Sequence, residues 1–335
     1  GNYYVSVPRW GPNVPATISK VVFQDGQYLL QPYPSWSMNK IGDPDAFQSV
    51  LGFEIDPQNR IWILDQGKVN NAPAISNSIK LVAYDLNTNV EVFKVVFTEE
   101  QASTTQSFLN DVVIDMKNNF AYITDSGIGY TSTLHPALLV VDIANRKVRR
   151  VLNQVNSTEP DPNLWIHING QPVLTESPME TGADGIALTP DSTILYYTPL
   201  TSHVLFGIPT SVLRDFSASE HTVESAIDFI YDKGCASDGL AYSNNGLLYI
   251  GSLEGSSVSS LDIQNNNPND IKTVTIAEDS NIMVWPDTLG FDHEGNLVYV
   301  TNYLNTFLDG NMTFTQTEFR IWSVYINGDS YMTPV

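Results

Sequence analysis

Cysteine is almost absent. Cys235 is the one thiol in 335 residues, so no intrachain disulfide and no multi-cysteine metal cluster can form, and packing alone must hold the fold. With nothing nearby to lower its pKa, Cys235 reads as a small buried hydrophobe rather than a catalytic thiol. Basic residues are scarce as well: 16 Lys and Arg stand against 37 Asp and Glu, a formal charge of −21. Such a balance repels phosphate backbones and anionic membrane surfaces, which excludes nucleic acid as a natural partner. The acids are spread along the chain without a run of like charges, the pattern of a solvated surface. No apolar run approaches the ~20 residues that a membrane-spanning helix needs. Gly1 opens the chain without a methionine or an apolar leader, so a processed or trimmed chain is expected. There is also no Gly-rich phosphate loop, no Gly-x-Ser-x-Gly elbow and no His-Glu-x-x-His zinc motif.

What is present is apolar mass and a repeat. Hydrophobic residues make up 42% and aromatic residues 11% of the chain, enough for a packed core. Five segments read as a strand, a polar turn and a second strand rich in Tyr, Val and Ile: Val50–Asp65, Asp111–Asp125, Asp184–Pro199, Asp238–Leu253 and Asp287–Asn302. Their turns, such as Asp56-Pro57-Gln58-Asn59 and Asp292-His293-Glu294-Gly295, have hairpin chemistry. Further strand signal follows each hairpin, including Ile79–Leu86, Val90–Phe97, Ala137–Ile143 and Ser257–Ile263. Four antiparallel strands recurring at roughly 50 to 70 residues match the blades of a β-propeller. The expectation is therefore an all-β, six-bladed β-propeller with four antiparallel strands per blade. The sixth blade is expected from Thr17–Gln31 together with the tail after Gly328, so that both termini close one domain over residues 1–335. Trp165–Thr175, centred on Asn169-Gly170, reads as an extra hairpin, and Thr210–Arg214 as the one short helix.

Residues of a hairpin whose numbers share one sum lie opposite each other. This places Asp287 against Asn302, Asp111 against Asp125 and Asp238 against Ser252, at the open ends of their hairpins. If first strands line the channel, Asn110, Asp111, Asp184, Asp238 and Asp287 gather at one mouth, with Asp65, Asp125, Glu254 and Asn302 from second strands. Carboxylates so gathered must be separated by water, take up protons or bind a cation. Tyr33, Trp36, Tyr130, Tyr197, Trp285 and Tyr303 are the aromatic residues expected near that mouth, with core packing the better account of Tyr197. Among five histidines, His135 and His203 each precede a third strand near the same mouth and are the acid/base candidates. Two N-glycosylation triplets, at Asn156 and Asn311, lie in polar, turn-rich stretches and point to a secreted glycoprotein.

Four stretches carry a family likeness. Trp285-Pro286-Asp287-Thr288-Leu289-Gly290-Phe291-Asp292 resembles a late-blade signature of the major royal jelly protein/Yellow family. Leu109-Asn110-Asp111 leading to Thr124-Asp125-Ser126-Gly127, Gly185-Ile186-Ala187 followed by Tyr196-Tyr197-Thr198-Pro199, and Trp62-Ile63-Leu64-Asp65-Gln66-Gly67 are similar to its earlier blades. The resemblance runs from about Val14 to Tyr325 in blade order and implies six blades. Family members are described as pigment-pathway isomerases, amine-binding proteins and nutritional proteins, and having only Cys235 departs from the insect pattern. A fainter resemblance links Asn110-Asp111, Ala183-Asp184-Gly185 and Ser237-Asp238-Gly239 to calcium-dependent lactonases of the SMP-30/gluconolactonase type, implying Ca2+ at Asp111, Asp184 and Asp238.

Three function classes follow. The first is a secreted enzyme that rearranges an aromatic or quinone-like molecule by tautomerisation, cyclisation or cycloaddition, without a required cofactor. Its expected catalytic residues are Asp287, Asp238, His135 and His203, with Trp36, Asp65, Asn110, Tyr130, Trp285, Asn302 and Tyr303 binding ligand. The second is a Ca2+-dependent lactonase or esterase, and the third a carrier of an amine or sterol-like ligand. A small molecule is the expected partner, and the chain is expected to be a monomer or weak homo-oligomer.

Overall fold

Each of the five repeated turns needs one residue in the left-handed region to bring its strands back antiparallel. Asn59, Asn119, Ser192, Gly246 and Gly295 supply it, with φ of 60°, 59°, 60°, 89° and 87°. In the computed structural model, which describes residues 2–70, 72–129, 133–263 and 270–333, these hairpins open five of the six blade sheets. Sheet 2 contains Val50–Ile55, Arg60–Asp65, Lys80–Asp85 and Val90–Val96. Sheet 3 contains Leu109–Asp115, Phe120–Asp125, Ala137–Asp142 and Lys147–Val151. Sheet 4 contains Ala183–Leu188, Ile194–Pro199, Val204–Pro209 and Asp228–Asp232, and sheet 5 contains Leu240–Tyr242, Leu248–Ser252, Ser257–Leu261 and Thr273–Glu278. Sheet 6 has three strands, Trp285–Phe291, Asn296–Asn302 and Arg320–Tyr325. These are the blades of an all-β, six-bladed propeller.

The remaining blade corrects one expectation. Sheet 1 is built wholly from the N-terminal segment, as Tyr4–Ser6, Ile18–Gln24 and Gln27–Pro32. A two-residue Asp25-Gly26 turn, both residues at positive φ, closes its second hairpin. None of the described C-terminal residues lies in a strand of this sheet. Ser330 instead bridges Ser243 at the turn end of sheet 5, and the Ser243 hydroxyl donates to the carbonyl of Asp329 (2.9 Å). The extra hairpin forms as His167–Ile168 and Gln171–Pro172, and the helix as Thr210–Arg214. Two more short helices, Glu220–Glu224 and Leu304–Leu308, were not read from the sequence.

The chain packs as two compact units, one of residues 1–135 and 139–150 and the other of 136–138 and 151–335. In the first, Ile18, Phe47, Val50, Ile61, Ile63, Val82 and Tyr84 form a continuous apolar cluster. Arg9, 1% exposed, ties the loops around it by donating to the carbonyls of Val14, Pro15, Asn39, Phe47 and Gln48. Five satisfied N–H donors make its burial tolerable without a carboxylate in hydrogen-bonding contact.

Candidate functional site

The first strands carry a feature that sum-matching across the hairpins cannot see. Their pairing slips once in four sheets, at Leu51-Gly52, Asn110-Asp111, Asp184-Gly185 and Asp287-Thr288. In sheet 5, Asp238-Gly239 sits just before the first strand, Leu240–Tyr242. A β-bulge re-aims the side chain it carries, and here the re-aimed side chains include Asp111, Asp184 and Asp287. Consequently Trp285, not Asp287, is the backbone partner of Asn302, and Leu109, not Asp111, that of Asp125. The glycines have a separate reason to be there. A Cβ on Gly185 would overlap the carbonyl oxygen of Asp238, and one on Gly239 that of Asp287. The Gly239 amide donates to that same Asp287 oxygen (2.7 Å). The Asp-Gly pairs thus mark close approach between neighbouring first strands.

In residues 1–150 the acids of the open ends are structural. Asp65 is fully buried, accepts from the amides of Gln48, Ser49 and Gly67, and pairs with buried Lys80 (2.9 Å). Asp125 repeats the arrangement with the amides of Phe108 and Gly127 and with Arg150. Neither carboxylate is exposed toward a ligand, so the assignment of Asp65 to ligand contact gives way to a scaffold role. Asn110 donates to the Ser126 hydroxyl (3.2 Å). Half-buried Glu54 has its carboxyl pushed well above the usual range, first by burial and then by the neighbouring Asp111 carboxylate. His135 lends its carbonyl to Arg150 (2.6 Å). Tyr33 is core, edge-on to Tyr4, and Trp36 is exposed beside the short turn Ser37–Asn39. Tyr130 lies outside the described residues.

In residues 151–335 the open ends are built differently. Trp285, fully buried, donates from Nε1 to Asp238 Oδ2 (2.7 Å). Asp287 accepts from Asn302 Nδ2 (2.6 Å) and from the Thr288 hydroxyl (2.7 Å). The surrounding protein strips water from Asp287 and raises its carboxyl pKa, a shift that those two donors only partly offset. Asp184, two per cent exposed, occupies the equivalent bulge of sheet 4. The inserted hairpin supplies the apolar backing: Ile166, Ile168 and Val173 cluster with Leu200, Ala236, Leu253, Val284 and Trp285, and Tyr303 and Leu304 pack against them. Asn169 donates to the carbonyl of Ser280 (2.8 Å) and Tyr303 to that of Asn281 (2.5 Å), anchoring the hairpin and Tyr303 to the segment before Trp285. Five sequence-selected residues, Asp238, Trp285, Asp287, Asn302 and Tyr303, thus belong to one neighbourhood. Tyr197 is core, its hydroxyl donating to that of Ser157 (2.8 Å). His203 lies apart, facing Glu254 at 3.5 Å. Sequence reading missed Thr288 as a donor and the hairpin as a cap, although Asn169-Gly170 signalled the hairpin itself.

Among the described residues, no three His, Cys, Asp or Glu side chains converge as metal ligands. The proposed Ca2+ set of Asp111, Asp184 and Asp238 therefore has no donor cluster to support it.

Sheet count, strand order and the bulged first strands define a six-bladed β-propeller. The fold resembles a luciferin-regenerating enzyme (TM-score 0.54, 12% identity, 98% of this chain and 97% of that one). It also resembles regucalcin, a calcium-binding protein of Agrobacterium tumefaciens (TM-score 0.52, 12% identity, 93% and 83% covered). At such identities the likeness is one of fold. The family profile described as major royal jelly protein matches residues 48–335, and the chain belongs to that family. It is 26% identical to major royal jelly protein 3 of Apis mellifera over 96% of its length, and 24% identical to protein yellow of Drosophila madeirensis over 96%. It spans 62% and 57% of the length of those relatives.

Proposed function

We propose that residues 151–335 hold a small-molecule site in which Asp287 and Asp238 carry out a proton-transfer rearrangement of an aromatic or quinone-like compound. The observation that carries this reading is Asp287, held by the neutral donors Asn302 and Thr288 and with its carboxyl pKa raised by burial, beside Asp238, which accepts from Trp285. A carboxyl whose pKa is raised toward the working pH is suited to take a proton from one position and return it to another. Asn302 and Thr288 fix the Asp287 rotamer, and Trp285 fixes Asp238, so little reorganisation accompanies the transfer. Tyr303 offers an aromatic wall, and the hairpin cap limits water. Tautomerisation and cyclisation need nothing more than such groups, and the reading requires no metal.

The working form is proposed to be a secreted glycoprotein, monomeric or weakly self-associating. Asn156 and Asn311 are both exposed in loops, where a glycan has room. Among the described residues no helix is long and apolar enough to cross a membrane, and the charge of −21 argues against nucleic acid as a partner.

The test offers the protein a panel of reactive quinone-type substrates and a panel of lactones, each with and without a chelator. Turnover of the first panel, indifferent to chelator and reduced about tenfold or more in Asp287→Asn, supports the reading. Chelator-sensitive lactone opening would replace it with hydrolysis, and tight binding without turnover would replace it with a carrier.

A further inference from the structure

Buried cations in this chain are held either by carbonyls, as Arg9 is, or by a carboxylate. Lys80 pairs with Asp65 and Arg150 with Asp125. Lys233, which follows the last strand of sheet 4, is buried as deeply as its neighbours in the core, at 7% exposed. Its Nζ donates to the Thr198 hydroxyl (2.8 Å) and to the carbonyl of Ser202 (3.1 Å), both neutral. Where sheets 2 and 3 end their second strands with Asp65 and Asp125, sheet 4 ends with Pro199.

Three further groups lie on the segments next to Lys233. His203 follows Ser202 directly, and its carbonyl accepts from the Lys233 amide (2.8 Å). The His203 ring is partly exposed, yet its Nε2 is buried without a hydrogen-bond partner, 3.5 Å from Glu254 Oε1. The other Glu254 oxygen accepts from the Ala236 amide (2.8 Å). Cys235 is buried two residues from Lys233.

We propose that Lys233 is a second reactive site of the chain, an amine that captures small aldehydes or ketones as an imine, with the His203–Glu254 pair moving the protons. Nζ, as the neutral amine, adds its lone pair to the carbonyl carbon. The carbinolamine formed loses its hydroxyl as water when His203, 3.5 Å from Glu254, supplies a proton, and the nitrogen proton departs to leave C=N. One carbonyl compound and one amine give one imine and one water, with no oxidant or reductant. Burial lowers the amine to about 8, and the charges of Cys235, Asp232 and Glu254 only partly oppose that shift. A useful fraction is therefore neutral, and nucleophilic, at mildly alkaline pH.

The intact protein is treated with propanal and sodium cyanoborohydride, which reduces the imine to a stable secondary amine, and is mapped by peptide mass spectrometry. The expected result is first-equivalent labelling at Lys233, at least tenfold ahead of exposed Lys40, Lys117, Lys147 and Lys272, with a rate that rises through pH 8. In His203→Gln, with an unchanged circular dichroism spectrum, labelling stays at Lys233 but slows. Labelling spread over the exposed lysines, with Lys233 reached only after denaturation, overturns the proposal. Because this site shares no residue with Asp238 or Asp287, loss of quinone turnover leaves it standing.

Discussion

Asp287 and Asp292 lie on one hairpin, five residues apart, and are held in opposite ways. At the turn end, Asp292 accepts from the amides of Glu294 and Asn296 and from the Asn296 side chain. Burial works against it, but these bonds prevail and its pKa is lowered. At the open end, Asp287 accepts from two side-chain donors, Thr288 and Asn302, and burial prevails. The same contrast recurs between sheets. Asp56 at a turn end bonds Arg60, Trp62 and two amides, and Asp65 at an open end of sheet 2 is neutralised by Lys80. Carboxylates that serve the fold are thus saturated with amides or cations, whereas Asp287 at the open end of sheet 6 is held by two neutral side-chain donors.

The largest expected effect comes from breaking a saturated site. Lys80→Met leaves Asp65 buried and unpaired and should cost about 3–5 kcal/mol in chemical denaturation. Adding Asp65→Asn should restore part of that loss, because the buried charge is then removed. A loss below 1 kcal/mol in the single variant, about the worth of an exposed pair, would erase the distinction between the two kinds of acid.

At the unsaturated site, function and stability should move in opposite directions. Asp287→Asn or Asp287→Ala should lower turnover or ligand affinity about tenfold or more, about 1.4 kcal/mol. A carboxyl whose folded pKa is raised favours folding most when protonated, below the ordinary aspartate value of about 3.9, and that advantage fades as pH rises through the folded value. Asp287→Asn, which stays neutral, should therefore melt higher than the natural chain at pH 7 and show no such gain at pH 3. Calorimetry at the two pH values checks the sign.

Trp285→Phe keeps most of the apolar contact but removes the donor to Asp238, and should cost about 1–3 kcal/mol together with activity. The smallest effects belong to solvated turn residues. Lys117→Ala and Glu294→Gln should stay within about 0.5 kcal/mol of the parent and leave ligand binding unchanged; a tenfold binding loss in either would move the site to the opposite end of the hairpins.

Local chemistry made most of the fold legible: the five hairpins, the Asn169-Gly170 insertion and the helix at Thr210–Arg214 all rest on turn residues and alternation that act over a few positions. Non-local choices were not legible. Nothing in Asp329-Ser330 marks it for Ser243 rather than sheet 1. Counting also assumes unbroken pairing, so it placed Asp111 opposite Asp125, whereas the bulge turns Asp111 away and Asp125 is claimed by Arg150. Of the residues selected at the open ends, Trp285 bonds Asp238 and Asn302 bonds Asp287, although the backbone partner of Asn302 lies two residues from the one that counting gave. Which acids are saturated depends on cations such as Lys80 and Arg150, 15 and 25 residues away in sequence, and no hairpin pattern reports that.

The most direct test follows the carboxyl carbons of Asp287 and Asp292 by 13C-detected NMR as pH is raised, using each as the other's control. The account predicts that Asp287 titrates above the ordinary aspartate value and Asp292 below it, and that an aromatic ligand shifts the midpoint of Asp287 alone. Equal midpoints, or a ligand response confined to Asp292, would contradict it.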